Sequence, residues 1–336
     1  MKVLVTGSTG FIGAQLCHAL VERGDEVCAF HRPTSNMTLL EGLPVEHVLG
    51  DLTRAETLQS ACRGVDAVFH TAALLGGRVQ PGRMYTIIVE GTRAVVQAAL
   101  QAGVGRFVYT SSVAALGVPE SIPSADIPFP LLDEAHTWNF RPNDWPYGYA
   151  KYLAELEIQK GVAHGLDAVI VNPGYVIGAG DIYRQVSSII VQVARRRVPV
   201  LTEGGLNVVH VADVVAGHLA ALELGQRGER YILGGQNLSH QTLVQKIAEA
   251  AGVHPPVTVL PADLVRSLAG IYNLLQAFVD LPISASEMHL AGYHFYYDTH
   301  KARTRLQLPN SRPVDEAIRE ALAWFAQAGA IKLQRN

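Results

Sequence analysis

An apolar run over residues 2–6 leads directly into Gly7-Ser8-Thr9-Gly10-Phe11-Ile12-Gly13, and a helical pattern follows to about 23. A backbone that turns this sharply, lets a phosphate approach closely and then packs helix on strand needs glycine at those steps. The helix start adds unpaired N–H groups and a positive pole, which favour a pyrophosphate. The spacing alone is weak evidence. Placed after an opening strand and before a strand–helix repeat, it predicts a dinucleotide site contacted by Gly7, Thr9, Gly10, Phe11, Ile12 and Gly13.

The rest of the first half keeps that rhythm. Strands are expected at 2–6, 26–30, 45–49, 66–70, 106–110 and 167–172, with helices at 11–23, 54–62, 83–102 and 147–164 between most of them. Alternating apolar strands and helices imply an α/β fold, a doubly wound parallel sheet whose ligand lies beyond the strands' carboxyl ends. After 175 the alternation loosens into helices at 184–195, 213–224, 239–251, 261–280 and 312–328, with short strands near 207–211 and 229–233. The expected division is a Rossmann-type domain over 1–174 with a returning segment at about 207–235, and a smaller, mainly helical substrate lobe over 175–206 and 236–336. A chain of 336 residues has room for both.

Segment 118–146 breaks the pattern with Pro119, Pro123, Pro128, Pro130, Pro142 and Pro146, and with Trp138, Phe140 and Trp145 between them. It reads as a flap over the substrate site or, equally simply, as a surface loop with its aromatics packed inward.

The end of the second strand bears on cofactor choice. Ala29-Phe30-His31-Arg32-Pro33-Thr34-Ser35-Asn36 has no carboxylate to hold the 2′-hydroxyl of NAD, whereas Arg32 can fork onto a 2′-phosphate and Ser35 can donate to it. NADP(H) is favoured. If Arg32 only stacks on adenine, NAD(H) binds as well. Asp51, followed by Leu52 after the third strand, is placed to accept from the adenine amino group, or to act as a turn residue or helix cap. Thr71, Ala72 and Ala73 after the fourth strand are small enough for a ribose to lie against the main chain.

Tyr147 and Lys151 are four apart at the start of a strong helical pattern, so they share a face. A phenol near pKa 10 is a poor acid–base group at neutral pH, and lowering it by about three units takes roughly 4 kcal/mol, which a neighbouring ammonium and an oxidised nicotinamide can supply. Tyr147 is the expected proton donor, with Lys151 holding the cofactor ribose and tuning the phenol. Such a pair is more often structural than catalytic. The Thr110-Ser111-Ser112 run at the end of the fifth strand changes that, because Ser112 can stabilise a developing alkoxide. Ser111 competes, since adjacent strand residues face opposite ways and the register is not readable. Asn172 and Pro173 are expected beside the nicotinamide, with Tyr175 and Val176 turning into the pocket. Leu74, Leu75, Trp138, Phe140, Trp145, Tyr175 and Tyr183 are candidates for an apolar substrate pocket, though each could equally be core. A small carbonyl or alcohol is the expected partner.

Several classes are excluded. The net charge of −3 and pI near 6.5 give no basic field for nucleic acid, and Arg195, Arg196 and Arg197 read as the solvated end of a helix. Cys17, Cys28 and Cys62 form no CxxC pair, and the thirteen histidines show no metal-ligand spacing, so neither disulfide nor metal is expected. No run is long and apolar enough to span a bilayer, and the strand beginning at residue 2 leaves no room for a signal peptide. A reducing cytoplasm fits.

Together, GSTGFIG, His70-Thr71-Ala72-Ala73, Thr110-Ser111-Ser112, Tyr147 with Lys151, and Ala154-Glu155 resemble the extended short-chain dehydrogenase/reductases of the epimerase/dehydratase superfamily. The likeness runs to Tyr297-Asp298-Thr299-His300-Lys301-Ala302 and the last helix. His31–Asn36, Val171-Asn172-Pro173 and Val209-His210-Val211-Ala212-Asp213 look most like the dihydroflavonol reductase group and bacterial hopanoid-associated sugar epimerase-like proteins. The resemblance implies catalytic roles for Ser112, Tyr147 and Lys151 and a homodimer seam built from helices 83–102 and 147–164. The chain departs from it at Ile88, where many relatives have Asn, and at Ala150, where Ser is frequent.

The expected activity is NADPH-dependent reduction of a ketone or aldehyde, reversible as alcohol oxidation. A nucleotide-sugar epimerase or dehydratase using bound NAD is the alternative. It would need cations for the diphosphate, and only Arg184 is placed for that. A non-catalytic NADP sensor is a third class, disfavoured because Tyr147 and Lys151 are both present.

Overall fold

Seven short strands pair side by side, all parallel. The computed structural model describes residues 1–74, 80–122, 129–183, 188–275 and 284–332. Leu75, Arg184, Pro123, Pro128 and the expected helix end at 276–280 lie outside these residues.

The chain begins β1 (Lys2–Thr6), α1 (Phe11–Glu22), β2 (Glu26–His31), β3 (Glu46–Leu49), α2 (Ala55–Ala61), β4 (Ala67–His70), α3 (Pro81–Tyr85), α4 (Gly91–Ala102) and β5 (Arg106–Thr110). It continues α5 (Pro146–Ala163), β6 (Ala168–Pro173), β7 (Tyr175–Ile177), α6 (Ser188–Ala194), β8 (Leu201–Thr202), β9 (Gly205–His210), α7 (Val211–Leu224) and β10 (Arg230–Leu233). It ends β11 (Gln236–Ser239), α8 (His240–Ala251), β12 (Val259–Leu260), α9 (Ala262–Leu275), α10 (Ala285–His289), β13 (His294–Phe295), α11 (His300–Arg305) and α12 (Val314–Gln327).

The main sheet has the order β10-β6-β5-β4-β1-β2-β3. Its inner strands are apolar because both faces are covered, whereas the edge strand β3, Glu46–Leu49, is largely exposed. Val3 and Val5 point into a core shared with α1 and α7, while Leu4 and Cys28 point into a second core under α2, α4 and α5. From β1 the chain winds outward through β2 and β3, then returns to the other side at β4. That reversal opens a crevice at the carboxyl ends of β1 and β4, the position where doubly wound sheets bind ligands.

β9 does not join this sheet. It centres a smaller one, paired antiparallel with β11 and parallel with β13 and β7. The chain returns to the main sheet only through α7, which packs on it, and β10, which pairs with β6. α6, α8 and α12 close a third core with the small sheet.

The helix expected over 83–102 is interrupted. α3 and α4 are joined by a π-helical turn, Thr86–Glu90, that contains Ile88. Thr92 donates from its hydroxyl to the Ile88 carbonyl (2.6 Å) and lies 3.0 Å from His70 Nε2. Such back-bonding draws a side chain into the helical ladder and disturbs its regular spacing.

The described part of segment 118–146 is pinned rather than free. Leu132 bridges to Tyr297, and Asn139 both accepts from the Val118 N–H and donates to its carbonyl, at 2.9 Å each. Phe140 and Trp145 pack inward against Tyr293 and Phe295. Among the described residues no helix is long and apolar enough to cross a membrane.

Candidate active site

At the end of β1 the chain takes a left-handed step at Gly7, with φ of +73°. A Cβ there would lie 2.7 Å from the Ala72 main chain, and one on Gly13 would lie 2.2 Å from the Gly7 carbonyl oxygen. Neither position tolerates a side chain without moving backbone. α1 then begins with Gly10 at its N-cap and no side chain capping it, so its first N–H groups stay open.

This turn forms one wall of a cavity of about 300 Å³ at the crevice. Gly7, Thr9, Gly10, Phe11, Ile12 and Gly13 line it from the turn, and His31 and Arg32 from the end of β2. Asp51 and Leu52 follow β3, Thr71, Ala72, Ala73 and Leu74 follow β4, and Val176 comes from β7. Phe30, Gly50, Arg83, Ile87, Asp181 and Tyr183 complete the lining. Arg83 escaped sequence reading because it follows a loop without periodicity; a cation at the start of the helix after β4 was the available signal.

Several of these residues are held in place locally. Thr71 donates to the Thr6 carbonyl (2.8 Å), which ties the β4 loop to β1. The Asp51 carboxylate accepts from the Thr53 N–H (2.9 Å) and hydroxyl (2.8 Å). Burial opposes ionisation of Asp51, but these bonds and the Arg32 and Arg54 guanidiniums hold its pKa below the usual carboxylate value. Asp51 is thus a turn residue that also faces the cavity. Ser35 does not line the cavity; its N–H donates to the Arg32 carbonyl (3.0 Å) in the turn that carries Arg32.

The acid–base candidates gather beside this cavity. Register sets Tyr109 of β5 next to His70 of β4, so Ser112 follows β5 where Thr71–Ala73 follow β4. Ser112 is half-buried, caps the short turn Val113–Leu116 by accepting from the Ala114 N–H (3.2 Å), and lies near enough to the Tyr147 hydroxyl to favour its ionised form. The Ser111 main chain continues the ladder to Val171, and its hydroxyl is buried without a partner. Ser112 is therefore the serine that meets Tyr147. One turn beyond Tyr147 on α5, Lys151 is 2 % exposed, donates to the Thr110 carbonyl (2.8 Å) and lies 5.1 Å from the centre of the Tyr109 ring.

Burial governs both titrations. It pushes the Tyr147 phenol up to about 12, with the Ser112 hydrogen bond opposing. It pulls Lys151 down to about 7, against the carboxylate of Glu155. The lowered phenol pKa expected from sequence is not found in the protein alone, because desolvation outweighs the help of the Ser112 hydroxyl.

Asn172 lies behind Ser112. Fully buried, it donates to the Ser112 carbonyl (2.9 Å) and to Glu155 Oε1 (2.6 Å), so its amide hydrogens point at those two oxygens. Pro173 is buried at the end of β6, in register with Leu233. Half-buried Tyr175 has its pKa raised by burial, with Asp181 and Glu287 adding to the effect. Trp138 and Trp145 are not part of the cavity lining. Trp138 stacks near Tyr149 and Tyr152, which share the face of α5 turned away from Tyr147 and Lys151, and Trp145 sits against Phe295.

Among the described residues, His210, Glu316 and Glu320 bring three potential metal ligands together. His210 Nδ1, however, accepts the Ala212 N–H (3.0 Å), which leaves the ring proton on Nε2, 3.1 Å from Glu320. A nitrogen that carries the ring proton offers no lone pair to a cation.

A parallel sheet, a glycine turn without room for Cβ atoms and a Ser–Tyr–Lys group at the strand ends define a nucleotide-dependent oxidoreductase fold. The chain belongs to the NAD dependent epimerase/dehydratase family, whose model matches residues 3–234, and to the extended short-chain dehydrogenase/reductases within it. It is an NAD(P)-dependent oxidoreductase of the group acting on CH–OH carbons. It is 35 % identical to a protein named dihydroflavonol 4-reductase from Synechocystis sp., over 98 % of this chain and 96 % of that one. It is 32 % identical to sterol demethylase protein B of Methylococcus capsulatus, over 98 % and 100 %. The crystal structure of gox2253 superposes with a TM-score of 0.85 at 35 % identity, covering 98 % of this chain and 99 % of that one.

Proposed function

We propose that the protein is an NADPH-dependent reductase of a ketone or aldehyde, running in reverse as an alcohol dehydrogenase. The reading is carried by the neighbouring Ser112 and Tyr147 hydroxyls with Lys151 one turn away, at the strand ends that border the dinucleotide cavity. The cavity suits such a cofactor: the glycine turn and open start of α1 would take the pyrophosphate, Asp51 and Leu52 the adenine, and Thr71–Ala73 a ribose. When bound, the dinucleotide would supply or accept the hydride. The Tyr147 hydroxyl would give its proton to the substrate oxygen while Ser112 donates a second hydrogen bond to it. Charge developing on that oxygen is thereby stabilised in a site shielded from water. Lys151 would restore the phenol's proton and hold a ribose.

Preference for NADPH is supported by Arg32 and His31 at the cavity wall and by the absence of any carboxylate between residues 29 and 36. The substrate class is supported by the reductase name of the Synechocystis relative, and the sterol-related name of the other points to a lipophilic carbonyl. We also propose a cytoplasmic homodimer paired through α4 and α5, where Leu156 is 39 % exposed.

The test is titration of the purified protein with NADPH and NADH, followed by absorbance against a panel of ketones, aldehydes and sugar nucleotides. Expected are tighter NADPH binding, NADPH consumption with a carbonyl, and loss of turnover by at least about a hundredfold in Tyr147→Phe with dinucleotide affinity retained. Tightly held NAD that is recycled without net consumption would assign the epimerase chemistry instead.

A further inference from the structure

We propose that Glu155 is a positioning residue for the acid–base group: one buried carboxylate fixes the Ser112 main chain, anchors the loop at 134–136 and sets the charge next to Lys151. The inference rests on the reading of Ser112, Tyr147 and Lys151 given above.

Glu155 lies one turn past Lys151 on α5 and is 4 % exposed. Its Oε1 accepts from Asn172 at 2.6 Å, and the same amide nitrogen donates at 2.9 Å to the Ser112 carbonyl. Its Oε2 meets Arg230 Nη1 at 3.1 Å. Arg230 donates onward to the carbonyls of Glu134 (2.8 Å) and His136 (2.6 Å), and the Glu134 carboxylate accepts the Ile232 N–H (2.8 Å). The ends of β5 and β6, the strand β10, helix α5 and the loop at 134–136 are thus tied to a single side chain.

A buried ion pair is seldom a net source of stability, because desolvation offsets its attraction. The observed geometry points to another role. Through Asn172 the carboxylate holds the Ser112 carbonyl, and through Arg230 it holds the carbonyls of Glu134 and His136; Ser112 is the residue whose hydroxyl lies near Tyr147. A displacement of Glu155 would therefore move the serine relative to the phenol.

The same carboxylate acts on Lys151. The groups around that ammonium are the Thr110 carbonyl, the Tyr109 ring, neutral buried His70, Tyr147 and Glu155. Arg230 pairs with Glu155 through its Oε2. Burial alone would drive Lys151 toward the neutral amine, and Glu155 opposes that. Because Lys151 is a base held low by burial, losing Glu155 lowers its titration midpoint further, and the ammonium is then present only at lower pH.

The experiment follows Lys151 directly, in protein labelled with 13C at lysine Cε, its signal assigned with Lys151→Met. In Glu155→Gln the Lys151 midpoint is expected to fall by about one pH unit, while Glu155→Asp, which keeps the carboxylate, recovers most of the change. NADPH oxidation against the carbonyl panel, run in parallel, is expected to show the alkaline limb of kcat moving to lower pH in Glu155→Gln, with NADPH affinity within about threefold of the parent. If Glu155→Gln does not fold, Glu155→Gln/Arg230→Met removes both charges and carries the same test. An unmoved Lys151 midpoint overturns the inference. A moved midpoint with no carbonyl reduction by the parent enzyme leaves Glu155 in its role and discards the reductase reading.

Discussion

At the scale of single residues, two adjacent serines are told apart only by where the strand ends. Ser112 caps a turn and meets Tyr147, whereas the Ser111 hydroxyl is buried with no partner. An unpaired buried hydroxyl contributes nothing in exchange for its desolvation, so its removal is nearly free or stabilising. Ser111→Ala is therefore expected to keep turnover within about twofold and to melt at or slightly above the parent temperature. Ser112→Ala is expected to lose about a hundredfold or more in kcat with dinucleotide affinity kept. Steady-state kinetics and thermal melts of the pair check this, and equal losses in both variants would remove Ser112 from its role. The glycines, the tyrosine and the lysine were legible because their chemistry depends on spacing along the chain. The serine was not, because parity along a strand depends on a register that only strand pairing sets. The direction of Asn172 was hidden for the same reason: a residue near the end of a strand can face the cofactor or the sheet behind it.

Among elements, the strand–turn–helix unit that opens the chain shows how packing and binding divide between neighbouring glycines. A Cβ on Gly13 would meet the Gly7 carbonyl at 2.2 Å and the Thr71 hydroxyl at 2.7 Å, so α1 would have to lift from β1. On Gly10 it would meet only the Gly7 carbonyl, at 3.2 Å, and otherwise project from the start of α1. Gly13→Ala is expected to cost about 2 kcal/mol of stability together with dinucleotide binding. Gly10→Ala should melt within a few degrees of the parent yet bind NADPH at least about tenfold more weakly. Denaturant melts beside NADPH titration separate the two, and retained affinity in Gly10→Ala would show that phosphate does not approach there. Most of the parallel strands were readable because they are apolar runs bounded by turn residues. The two-residue strands β8, β12 and β13 were not, since two residues show no periodicity. The π-helical turn at Ile88 was equally hidden, because Thr92, which back-bonds to Ile88, also meets His70 of β4, a contact the chain order does not show.

For the whole molecule, the main sheet separates two cores, and each holds one buried histidine kept neutral. His70 lies between the sheet and α4, within 2.6 Å of the Thr6 hydroxyl and 3.0 Å of the Thr92 hydroxyl. Because Thr92 gives its own proton to the Ile88 carbonyl, it accepts from His70 Nε2, and Nδ1 accepts from Thr6. On the other face, His218 of α7 bonds the Val214 carbonyl through Nδ1 (2.7 Å), leaving Nε2 to accept from the Thr110 hydroxyl (2.7 Å). Desolvation pulls His70 down to about 3, with Lys151 adding to it, and His218 down to about 4. Both folded values lie below the ordinary imidazole value near 6.5, so the unfolded chain binds protons first as the pH falls. The stability these neutral rings contribute is complete above about 6.5 and is lost progressively below it, at roughly 2 kcal/mol for each ring by pH 5. Chemical denaturation of the parent between pH 7.5 and 5 should therefore show a steep fall in unfolding free energy. His218→Gln, which keeps an amide for the Thr110 and Val214 partners, should begin less stable at neutral pH and fall about half as steeply. Parallel slopes for the two proteins would mean that carboxylates, and not the imidazole beneath the catalytic strand, dominate acid unfolding.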